Sequence, residues 1–63
     1  MIELTLPTMT CQHCVKTVTE TVRRVDPAAQ LRFDLEAHRV SIESMQSQPL
    51  FERALTDEGY APA

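Results

Sequence analysis

The sequence predicts an α+β domain on the ferredoxin-like βαββαβ plan, a sandwich with two helices on one face of a four-stranded antiparallel sheet. Three observations carry this expectation. Apolar residues alternate with polar ones over 2–6, 31–35 and 40–43, the period of half-buried strands. They recur at helical spacing over 15–25 and 50–55. The chain has 63 residues, near the lower size at which a core buries about 60% of the unfolded chain's surface, so every stripe must share one core and 1–63 is a single domain.

Each element has its own local reason. Ile2, Leu4 and Leu6 alternate with Glu3 and Thr5, and Pro7 closes this first strand. Val15, Val18, Val22 and Val25 then form a helical stripe, with Lys16, Glu20, Arg23 and Arg24 mostly off it, until Asp26-Pro27 stops the helix. Propensity opposes this reading, because the valines together with Thr17, Thr19 and Thr21 prefer a strand. The period decides: a strand would split the four valines between two faces, whereas a helix gathers them on one. Such a helix is held by packing rather than by its own preference.

Leu31, Phe33 and Leu35 alternate with Arg32 and Asp34, "EAHR" turns the chain, and Val40 and Ile42 return it, which predicts a hairpin. After the polar connection "SMQSQ", Pro49 suits the first position of a second helix, whose stripe is Leu50, Phe51, Ala54 and Leu55. Gly59, the only glycine, falls where a helix ends on a residue of positive φ, and Tyr60-Ala61 are expected to begin a short last strand.

The formal charge of −3 argues against a nucleic-acid partner, which would favour a basic chain. No run of apolar residues is long enough to insert in a membrane. The opening "MIELTLPT" lacks the basic start and continuous apolar run of an export signal, which predicts a cytoplasmic protein with reduced thiols.

The chemistry is concentrated in "TMTCQHC", where Cys11 and Cys14, the only cysteines, flank Gln12 and His13. A disulfide between them closes too short a loop to staple a fold. The spacing places Cys11 just before the first helix and Cys14 in its first turn, where unpaired N–H groups and the helix dipole favour thiolate. Thiolate both binds metal and attacks disulfides, so this placement alone leaves both chemistries open. A structural zinc site needs four closed ligands, and the chain adds only His13 and His38, the latter expected in a surface turn far from the thiols. Soft Cu(I) is satisfied by two thiolates, with room for an incoming third. Cys14 lies four residues before Val18 and should be the anchored thiol, leaving Cys11 the more exposed one.

"MTCQHC" at Met9 to Cys14 resembles the Met-x-Cys-x-x-Cys signature of the heavy-metal-associated domain family, and Gly59-Tyr60 resembles that family's C-terminal Gly-Tyr. With the element order, the resemblance covers nearly the whole chain and is greatest to bacterial copper chaperones of the CopZ type. It implies a non-enzymatic protein that binds Cu(I), or another thiophilic ion such as Ag(I), Hg(II) or Zn(II), through Cys11 and Cys14. It further implies transfer by ligand exchange to the metal-binding domain of a copper-transporting P-type ATPase, and a monomer that copper can bridge into a homodimer. A thiol oxidoreductase is the competing reading, although such enzymes need a larger thioredoxin-like domain. The chain departs from the family with Thr8 where a Gly usually precedes the Met, and with no Gly in the hairpin turn.

Around the thiols, Met9 is expected to pack into the core and pin the loop, with thioether ligation the alternative. His13 is either a modulator of the metal or an exposed helix residue. Tyr60 either shields the metal or serves as a core aromatic. Lys16, Arg23 and Arg24 offer a basic face that can steer an acidic partner.

Overall fold

Alternation along the strands and period along the helices place the apolar side chains on facing surfaces, and the elements follow from that. The computed structural model describes residues 1–10 and 12–63. Its elements are β1 (Ile2–Thr5), α1 (Gln12–Val25), β2 (Gln30–Asp34), β3 (Arg39–Glu43) and α2 (Gln48–Asp57).

The sheet order is β1-β3-β2, with β3 antiparallel to both neighbours. The register sets Ile2 and Leu31 opposite Ile42, and Leu4 and Phe33 opposite Val40, so these six residues share one face. Being central, β3 buries Val40 and Ile42 completely, whereas Leu31 and Phe33 on the edge strand β2 are half-buried. On the other face Glu3, Ser41 and Arg32 align, as do Thr5, Arg39 and Asp34.

α1 packs Val18 and Val22, both fully buried, with Thr21 between them. Cys14 packs against the core at the top of the stripe, as its place four residues before Val18 predicts, and Val25 closes the stripe half-buried. The threonines that argued for a strand are accommodated by back-bonding. Thr17, Thr19 and Thr21 donate their hydroxyls to the carbonyls of His13, Val15 and Thr17, at 3.2, 2.7 and 2.8 Å. Asp26 ends the helix, its carboxylate accepting from the Ala28 N–H and from the Ser44 hydroxyl.

α2 starts at Gln48 rather than at Pro49, with Ser47 as N-cap and Pro49 at the second position. It buries Phe51 and Leu55 against the same core, and Ala54 is half-buried. Leu50, expected in this stripe, is 48% exposed: it lies one residue, about 100° of helical rotation, from Phe51, on the flank of a face that the 51/55 pair already centres. The helix closes as a Schellman motif. Gly59, at φ +90°, donates to the Thr56 carbonyl at 3.0 Å, and Tyr60 donates to Leu55 at 2.8 Å.

The last strand expected at Tyr60-Ala61 does not form, and among the described residues the sheet has three strands. A bond from the Ala63 N–H to the Thr5 carbonyl, 2.9 Å, lays the C-terminal segment along the outer edge of β1. Among the described residues no helix is long and apolar enough to cross a membrane.

Candidate metal centre

The segment between β1 and α1 is built as a support for the first turn of α1. Pro7 occupies the second position of a turn that Met9 closes, donating its N–H to the Leu6 carbonyl at 2.9 Å. The Met9 side chain is fully buried in the core. Thr8 and Thr10 on either side of it are exposed, so the loop is tethered inward at its centre.

A second tether comes from the hairpin, where the sequence did not place one. His38 was expected in a surface turn far from the thiol loop. The structure corrects this: its Nδ1 lies 3.0 Å from the Met9 carbonyl oxygen, and its own carbonyl accepts from the Leu6 N–H at 2.6 Å. A carbonyl only accepts, so Nδ1 carries the proton in this contact. His38 adopts φ +55°, taking the left-handed position that a glycine would otherwise fill in the β2–β3 turn. A sequence signal existed for half of this. "EAHR" has no Gly, and His is enriched among non-glycine residues at positive φ. Nothing in the sequence signalled that the turn would reach Met9.

Cys14 sits in the first turn of α1 and is half-buried, its Sγ 3.8 Å from the Thr8 carbonyl, to which the thiol form can donate. None of Gln12, His13 or Val15 beside it is acidic, so the positive end of the helix dipole is not offset there. The Thr8 hydroxyl donates to the Gly59 carbonyl at 3.4 Å, which joins this loop to the end of α2 next to Tyr60. Tyr60 is half-buried and packs against the core. Residues 8–10, His38 and Gly59-Tyr60 therefore meet around the N-terminus of α1.

The other predicted residues take distinct places. Cys11, expected to be the more exposed thiol, lies outside the described residues. His13 is exposed on α1. Lys16 and Arg23 are also exposed, whereas Arg24 pairs with Glu58 at 3.0 Å and so ties α1 to the end of α2. Its guanidinium also donates to the Thr21 hydroxyl at 3.3 Å. Among the described residues no group of three or more His, Cys, Asp or Glu side chains gathers to hold a metal. What the arrangement offers chemically is a thiolate-favouring helix tip on a loop fixed from below.

The heavy-metal-associated domain pattern matches residues 3–60. Among solved structures, the chain is similar to the copper chaperone Atx1 from Synechocystis PCC6803 in a trimeric form, at 32% identity, with all of both chains covered and a TM-score of 0.95. A gold binding protein is 29% identical over 98% of this chain and 95% of its own, with a TM-score of 0.93. A cyanobacterial copper metallochaperone, ScAtx1, is 31% identical over 98% and 97%, with a TM-score of 0.79. No curated protein sequence matches the chain significantly.

Proposed function

Because the chain belongs to the heavy-metal-associated domain family, a non-enzymatic metal-binding family, we propose that it is a cytoplasmic Cu(I) carrier that holds its ion between the thiolates of Cys11 and Cys14. The observation that carries this reading is the seat of Cys14, in the first turn of α1 above a loop pinned by the fully buried Met9. Two thiolates at a helix tip satisfy one soft monovalent ion and leave it open on one side. The solved relatives described as copper chaperones support copper as the cargo.

Delivery follows from the open side. A thiolate of the recipient joins the ion, giving a three-thiolate intermediate, and one thiolate of this chain then leaves. The ion remains Cu(I) throughout, so no oxidant or reductant is needed. The recipient proposed is the metal-binding domain of a copper-transporting P-type ATPase, docked loop to loop. Lys16 and Arg23 steer that approach from the exposed face of α1, and their effect weakens with salt over about 8–10 Å. Arg24 contributes less to docking because it is engaged with Glu58. Met9 acts from beneath the site, while His13 and Tyr60 modulate it from its rim. At high protein concentration four thiolates from two copies can share copper.

Anaerobic titration of the reduced protein against a Cu(I)-specific chelator tests the proposal. The expected result is tight one-to-one binding that weakens as the pH falls, because protons compete for the thiolates. Binding must disappear in the Cys11→Ser, Cys14→Ser double variant, and its persistence would overturn the reading. The resemblance to a gold binding protein favours a wider class of soft ions as the second reading. Parallel titrations with Ag(I), Hg(II) and Zn(II) rank them.

A further inference from the structure

We propose that His38 is a positioning residue for the metal loop, acting through the Met9 carbonyl to slow release of the ion. The inference rests on the two-thiolate reading above and adds a residue to it from an element that the sequence kept apart from the site.

Met9 is fixed at three points, and His38 supplies one of them. Its N–H is held by Leu6 and its side chain by the core. Its carbonyl, the last backbone acceptor before Thr10 and the thiols, points at His38 Nδ1, 3.0 Å away. That carbonyl belongs to the peptide group joining Met9 to Thr10, so holding it fixes the plane from which the chain enters the ligand segment. Without the imidazole, the N–H and side-chain anchors remain, but this peptide plane can rotate. His38 is itself placed firmly: its carbonyl accepts from Leu6, and its N–H donates to Leu35 at 3.2 Å. The turn thus clamps both ends of the Leu6–Met9 segment, one with backbone and one with ring. The contact does not depend on the charge of the ring, since the Nδ1–H neutral form and the imidazolium both donate from Nδ1.

Two substitutions separate positioning from folding. His38→Gly keeps positive φ accessible and deletes the donor. His38→Asn also tolerates that backbone conformation, and its Nδ2 is as many bonds from Cα as the imidazole Nδ1, so it restores a donor at nearly the same point. The measurements are the rate of Cu(I) transfer to a chelator, amide exchange at Met9 and Thr10, thermal unfolding, and the wild-type histidine tautomer by long-range ¹H–¹⁵N correlation.

The expected result is the Nδ1–H tautomer in the wild type at neutral pH. Release should be about three- to tenfold faster in His38→Gly, the range set by losing one hydrogen bond, and within about twofold of wild type in His38→Asn. Amide exchange should follow the same order. An Nε2–H tautomer, release unchanged in His38→Gly, or release that tracks the unfolding midpoint equally in both variants would overturn the proposal. Failure of the underlying carrier reading would look different, because the double cysteine variant would then bind copper as the wild type does.

Discussion

Met9 separates a packing role from a ligand role, and the structure gives the size of the effect. Its side chain is fully buried and belongs to the core cluster with Leu4, Leu6, Val18, Val22, Val40, Ile42, Phe51 and Leu55. Met9→Ala removes three heavy atoms from this position and should cost about 2–5 kcal/mol. A domain of this size is stable by only about 3–9 kcal/mol, so that loss is a large part of the total. Met9→Leu nearly conserves volume and should cost less than about 1.5 kcal/mol. Urea unfolding of the metal-free variants measures both numbers. A chelator competition on the same samples then asks whether the sulfur matters: Met9→Leu should hold Cu(I) within about threefold of wild type. A tenfold or greater loss of affinity in Met9→Leu, with its unfolding midpoint retained, would refute the packing account and make the thioether a ligand.

Two further predictions concern the supports of the site. At Gly59 an added Cβ would meet nothing within 4 Å, so Gly59→Ala should lose only the cost of positive φ, about 1–2 kcal/mol, with a fall in unfolding temperature of roughly 4–8 °C per kcal/mol. Gly59→Asn should recover about half, and a neutral Gly59→Ala would show that the end of α2 relaxes out of the Schellman geometry. The Arg24–Glu58 pair has side chains 65% and 38% exposed, so a double-mutant cycle should give a coupling of about 0.2–1 kcal/mol that shrinks in high salt. A coupling above about 2 kcal/mol, insensitive to salt, would contradict that assignment.

Periodicity carried most of the architecture, because a core shared by a few elements leaves little freedom in which residues face it. Val18 and Val22 are buried in a helix despite their preference for strands, and Leu4, Val40 and Ile42 share the inner sheet face. The failures are cases where one neighbour decides. Leu50 fits a helical stripe by spacing, but a helix flank is buried only if something covers it. The C-terminal segment meets β1 through the Ala63 N–H without forming a paired strand. The position of Cys14 at the helix tip was legible from chain order, as was the burial of Met9. The His38 contact was not, since it joins residues 29 apart in sequence through the approach of a turn to a loop. Local pattern reports which way a side chain faces, not which distant backbone group it meets.

The back-bonded threonines of α1 bear on whether the centre can be transplanted. A helix of valine and threonine, with hydroxyls turned onto its own carbonyls, has little reason to stay coiled once Val18 and Val22 lose their partners. A synthetic peptide spanning residues 6–25 would carry both cysteines and the full signature yet have no preformed tip to present them. The ion-binding geometry therefore belongs to the sheet and α2 as much as to the signature, and an engineer who wishes to graft it must move the whole domain.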